Sequence, residues 1–139
     1  LSLSMAFQLI ELRLLKHYSN DLPQLPDVKG GLSPQIQARL VDFIEQHLHL
    51  PLTLTELAQQ AQLSEYHFAR MFKQSLNLPP HQYVIQKRIQ KACDLLKNSS
   101  LAVATIADQC GFSSQSHFAR RFQQALKTTP GQYRRAFRR

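Results

Sequence analysis

The chain has 139 residues, 43% hydrophobic and 9% aromatic, which suits one folded domain with an appendage and excludes a disordered polyelectrolyte. Residues 1–51 hold four Lys/Arg and five Asp/Glu (net −1), whereas residues 52–139 hold thirteen and four (net +9), together giving the net charge of +8. A polyanion, either nucleic acid or an anionic membrane surface, is therefore the expected partner of the second part, against the plainer reading of a solubilising surface. Cys93 and Cys110 lie in expected helices without CxxC or Cys/His ligand spacing. They read as small core residues of a reducing, cytoplasmic compartment, and neither a metal site nor a cofactor is expected. No run approaches the ~20 apolar residues of a membrane span. Glu11, Arg13 and Lys16 interrupt the start, so no export leader is expected there.

Helical periodicity runs through nearly the whole chain, and no strand signal is present. In Met5–Tyr18, Phe7, Ile10 and Leu14 share a face broadened by Met5, Leu9, Leu12 and Leu15, a stripe wide enough to require a packing partner. Asn20–Leu32, with Pro23, Pro26, Gly30 and Gly31, reads as a linker. Ser33-Pro34 is an N-cap followed by proline at the first helical position, and the helix it opens turns Ile36, Leu40, Phe43 and Ile44 inward as far as about His47. Thr53-x-x-Glu56 is a capping box for a short helix to about Ala61, and Ser64 caps the next, which reaches about Leu76. Asn77–Pro80 breaks the chain before a long helix over about Pro80–Lys97. A helix near Val103–Cys110, a Gly111-Phe112-Ser113 turn, a helix near Gln115–Lys127 and a basic last helix at Gln132–Arg138 complete the pass.

Within this order the chain repeats itself. His67-Phe68-Ala69-Arg70 recurs as His117-Phe118-Ala119-Arg120, and His67–Tyr83 matches His117–Tyr133 at ten of seventeen positions. Leu57-Ala58 pairs with Ile106-Ala107 at a spacing of forty-nine rather than fifty, so the second copy carries one extra residue between its two short helices. Two copies are too few for a solenoid and more naturally give two similar contact surfaces on a partner that itself repeats. Each copy is two helices joined by a tight turn, with Leu57/Ile106, Leu63/Phe112, Phe68/Phe118 and Phe72/Phe122 placed to form a small core. That is the layout of a helix-turn-helix, whose second helix enters the major groove of DNA.

The pattern Ile106-Ala-x-x-x-Gly-Phe112-Ser-x-x-Ser-x-Phe118-x-x-x-Phe122, followed by Pro130-x-x-Tyr133-Arg134, resembles the AraC-type DNA-binding domain of bacterial transcription regulators. The resemblance covers about Gln35–Arg135. It implies an all-α fold with two helix-turn-helix subdomains, at about 53–76 and 103–127, joined by a linker helix at about 80–97 within a domain spanning 33–139. It further implies a non-enzymatic regulator that reads two successive major-groove segments of double-stranded DNA, with RNA polymerase as a further partner. Residues 1–32 then read as the last helix and linker of an effector or dimerisation domain, with homodimerisation through that helix or through the rest of such a domain as one expectation and folding back of the helix as the other. An eighteen-residue linker helix spans ~27 Å, which with the width of the units brings recognition helices about one DNA turn (~34 Å) apart within reach.

The groove-facing candidates are residues near the start of each second helix that the core does not need. Arg70 and Arg120 are the expected main base readers, because guanidinium donates bidentately to guanine. Tyr66 and Ala69 support the first, and Gln115 and Ser116 the second, since Gln can bracket adenine and apolar groups can meet a thymine methyl. Lys73, His67, His117 and Arg121 are expected on phosphate, which sets position and affinity but not sequence. His67 and His117 fit equally well as plain helix-surface residues, and the terminal Arg134, Arg135, Arg138 and Arg139 fit DNA-backbone contacts and a solvated tail equally well. Ala102 stands where Thr53 caps the first copy, an omission worth about 1 kcal/mol. Two other functions are weaker: a regulatory module of a DNA alkylation-repair protein lacks an acceptor cysteine before Cys93, and a protein-interaction domain leaves the charge and the duplicated arginines unexplained.

Overall fold

The computed structural model describes residues 31–138. Among them it has seven α-helices and no strand, as the all-α expectation requires: α1 Pro34–Gln46, α2 Leu54–Ala61, α3 Glu65–Leu76, α4 Pro80–Asn98, α5 Val103–Gln109, α6 Gln115–Leu126 and α7 Pro130–Phe137. The expected amphipathic helix at Met5–Tyr18 lies outside the described residues.

Helix starts follow local chemistry. Ser33, Thr53, Ser64, Ser114 and Thr129 each place a side-chain oxygen on an otherwise unpaired backbone N–H of the first turn. Thr53 and Glu56 complete the expected capping box. A second box, Thr129 with Gln132, opens α7 two residues before the expected start, with Pro130 in the first turn; the Thr-Thr-Pro-Gly stretch is a helix start as well as a breaker. Ala102 contributes no side-chain cap to α5.

The described residues form two compact units: 31–47 with 52–84, and 48–51 with 85–138. In the first, Leu40 and Ile44 of α1 are buried as expected, but the third inward residue is Gln37 rather than Ile36 or Phe43, which are half-buried. Spacing of three and four residues from Gln37 through Leu40 to Ile44 keeps one narrow stripe inward. Leu57, Ala58 and Ala61 of α2 and Phe68 and Phe72 of α3 are all buried, and the Phe68–Phe72 and Phe72–Tyr83 ring centroids stand 5.6 and 5.4 Å apart. The second unit repeats the ladder: Phe118–Phe122 at 5.6 Å and Phe122–Tyr133 at 5.4 Å, over Ile106, Ala107 and Cys110. Tyr83 and Tyr133 therefore close their units as packing residues. Burial pushes the Tyr83 hydroxyl up to about 12 and the thiols of Cys93 and Cys110 up to about 12 and about 11, so both cysteines stay protonated at neutral pH.

The turn inside each helix pair is also duplicated. Gln62 and Leu63 donate their N–H groups to the Gln59 and Ala58 carbonyls, and Gly111 and Phe112 donate to those of Asp108 and Ala107, all at 3.0 Å. This closure needs a left-handed residue at the turn. Gly111 supplies it at φ 86°, whereas Gln62 is forced to φ 59°. The left-handed region costs a side-chain-bearing residue about 1–2 kcal/mol, part of which glycine returns as unfolded-chain entropy. Gln62→Gly should therefore raise stability by about 0.5–1 kcal/mol, read as a higher urea midpoint at unchanged slope. A lower midpoint would mean that the Gln62 side chain makes contacts outweighing the strain.

Candidate nucleic-acid interface

Both recognition helices begin from the same first turn. Ser64 accepts from the His67 N–H at 3.3 Å, and Ser114 from the His117 N–H at 3.0 Å. The caps align at an offset of fifty while the Leu63/Phe112 turn residues align at forty-nine, so the extra residue of the second copy is Ser113. It changes what the histidine meets. His67 Nδ1 lies 2.9 Å from the Ser64 hydroxyl, whereas His117 Nδ1 lies 3.4 Å from that of Ser113. His67 is exposed; His117 is half-buried, edge-on to Phe112 at 5.5 Å.

Phe68/Phe72 and Phe118/Phe122 point inward and leave a matching outer face on each helix. On α3 that face carries Tyr66, Arg70 and Lys73, all exposed, with Tyr66 at 67%. Tyr66 and Arg70, one turn apart, already form a unit: the guanidinium carbon stands 5.7 Å from the ring centroid and one terminal nitrogen 3.5 Å from the hydroxyl. The arginine fork of this exposed residue is held beside an aromatic plane. Glu65, also at the start of α3, is engaged by the Thr55 hydroxyl of α2. The first half of α6 exposes Gln115, Ser116 and Arg120, with Ser116 in the place of Tyr66, so Arg120 has no ring beside it at that position. Ala69 and Ala119 are half-buried at the edge of their faces.

Arg121 lies at the margin. It is half-buried, its Nε is buried without a hydrogen-bond partner, and it holds the place of half-buried Met71 in the first copy. Three residues after Phe118, its stem falls on the inward edge of the helix.

Three arginines do work that residue types alone did not reveal. Arg88 of α4 donates to the Leu48 and Leu50 carbonyls. Arg134 donates to those of Leu96 and Ser99 at 3.1 and 3.3 Å, and Arg138 also donates to Ser99. Arg134 and Arg138 thus neutralise free carbonyls at the end of α4 rather than forming a solvated tail. Among the described residues, no group of three or more His, Cys, Asp or Glu side chains could hold a metal ion, and no helix is long and apolar enough to cross a membrane.

Comparison with known proteins agrees with this geometry. The sequence pattern of the helix-turn-helix domain family matches residues 57–136. LumQ of Photobacterium leiognathi, a probable transcriptional regulator, is 40% identical over 78 residues, 55% of this chain and 32% of that protein. The chain spans 26–32% of the length of the first curated relatives it matches. Among solved structures, the DNA-binding domain of AdpA, a global transcriptional factor in complex with a target DNA, superposes with a TM-score of 0.71 at 33% identity, covering 73% of this chain and 91% of that one. An AraC-type transcriptional regulator from Chromobacterium violaceum superposes at 0.69 with 28% identity, covering 74% and 92%.

Proposed function

Because the chain belongs to the AraC-type helix-turn-helix family of DNA-binding transcription regulators, we propose that it reads two successive major-groove segments of duplex DNA, α3 one and α6 the other. The observation that carries this reading is the duplicated first turn, with a serine cap, a histidine three residues on and an exposed arginine six residues on, set in a segment of net charge +9. Arg70 and Arg120 are the base readers. Tyr66 and Ala69 flank the first; Gln115 and Ser116 extend the second. Lys73, His67, His117 and the terminal nitrogens of Arg121 hold phosphate, together with the N-termini of α3 and α6. The protein acts by binding rather than catalysis, in the cytoplasm, with RNA polymerase as its second partner and dimerisation through residues 1–32.

Selection of bound duplexes from a random pool, followed by titration at several salt concentrations, tests the reading. A steep salt slope together with a subset of sequences bound far above the rest is expected. Uniform affinity for all duplexes would leave only a basic helical domain. On the selected site, Arg70→Ala and Arg120→Ala should each cost about 1–3 kcal/mol and relax preference in different half-sites. An arginine whose loss weakens every sequence equally is a phosphate contact instead.

A further inference from the structure

Within the second unit, one buried guanidinium sits between the end of a loop and the turn that opens α6. Arg88 is only 9% exposed, and it donates through Nε to the Leu48 carbonyl (3.1 Å) and through a terminal nitrogen to the Leu50 carbonyl (2.9 Å). Burial lowers its pKa from the ordinary value, and the two carbonyl dipoles offset the cost of holding the cation there. Gly111 packs directly against this clamp. A Cβ on Gly111 would run into the Leu48 carbonyl oxygen and stand 2.8 Å from Arg88 Nε. The next residue, Phe112, is buried with its ring 5.1 Å from that of Phe118, and Ser114 then caps α6. Close-packed contacts therefore run from the guanidinium through the Gly111 turn to the helical turn that carries Gln115 and Ser116.

The clamp has its own counterpart in the repeat. Arg88 follows Tyr83 by five residues, as Arg138 follows Tyr133. Leu50 precedes the α2 cap Thr53 by three, as Ser99, which accepts from Arg138, precedes the α5 cap Ala102. Arg88 differs in having the turn of a recognition pair against it.

We propose that Arg88 is a positioning residue for sequence readout by α6: it sets the seat of the Gly111 turn, and thereby the first turn of α6, without touching DNA. This rests on the reading of α6 as a base-reading helix. α3 belongs to the other compact unit, which has its own Thr53–Glu56 box and its own buried Leu57, Ala58, Phe68 and Phe72.

The test uses the whole 139-residue chain with Arg88→Met, which keeps an unbranched stem and removes both donors, and Arg88→Lys, which keeps the charge but cannot span two carbonyls. Affinities are measured for the selected duplex, for two derivatives each with one half-site scrambled, and for an unrelated duplex. Arg70→Ala and Arg120→Ala assign the half-sites. Both Arg88 variants should lose about tenfold in discrimination at the α6 half-site while keeping that at the α3 half-site. Without DNA, amide exchange at residues 113–117 should accelerate about tenfold more than at 64–68. Equal loss on every duplex, equal loss of discrimination at both half-sites, or uniformly faster exchange would overturn the proposal. A wild-type chain that prefers no duplex overturns base reading, and the exchange pattern then still decides whether Arg88 seats the turn.

Discussion

Gly111→Ala is expected to destabilise the second unit by about 2–5 kcal/mol, from overpacking and left-handed strain together. The residue stands at φ 86°, a region that L side chains rarely adopt, so the methyl group is strained before any neighbour is considered. Its neighbours are also unusually firm. One is the Leu48 backbone oxygen and another the Arg88 guanidinium, itself tied to two carbonyls, so neither can swing aside as a surface side chain would. Relief would require breaking the clamp or lifting the turn, and either exposes a buried cation or its acceptors. Thermal melting followed by far-ultraviolet circular dichroism should show a midpoint lower by roughly 10 °C or more. A midpoint within about 2 °C of wild type would mean that the turn does not lie against the clamp.

Phe122→Ala is expected to cost a similar amount, about 3–5 kcal/mol, for a different reason: it leaves a hole. Phe122 is fully buried and is the middle rung between Phe118 and Tyr133, with ring centroids at 5.6 and 5.4 Å. The Tyr133 hydroxyl also shares a hydrogen bond with the Cys93 thiol, so a tilt of that ring disturbs a second buried contact on α4. Against a typical total of about 5–15 kcal/mol, the loss removes a large share of stability. Urea unfolding measures it. Phe137→Ala is the control: 36% exposed at the end of α7, it should cost well under half as much. Equal costs at the two positions would show that the ladder is not the centre of the core.

The aromatic ladder could be read from residue order because both copies place Phe, Phe and Tyr at identical spacings, and helical periodicity turns that spacing into a face. The outer face followed by subtraction, which is why Tyr66, Arg70 and Arg120 were accessible to reasoning. Subtraction alone did not show that Arg121 is half-buried, since a long charged side chain can lay its stem inward, and only comparison with Met71 signals that edge. The clamps were illegible for a deeper reason. Arg88, Arg134 and Arg138 donate to main-chain carbonyls thirty-five to forty residues away, and a carbonyl is offered by every residue, so no acceptor has a sequence signature. The repeat held one clue: Arg88 and Arg138 stand at the same distance beyond their tyrosines.

Ser113 has a consequence beyond the turn it lengthens. With one residue inserted before its cap, and serine where α3 carries tyrosine, α6 is not a copy of α3 that a two-fold axis could exchange. On the proposed reading, a single chain then has a head and a tail along the duplex. The segment read by each chain would not be a palindrome, and reversing that segment relative to a promoter would reverse the chain bound to it, so each chain distinguishes upstream from downstream.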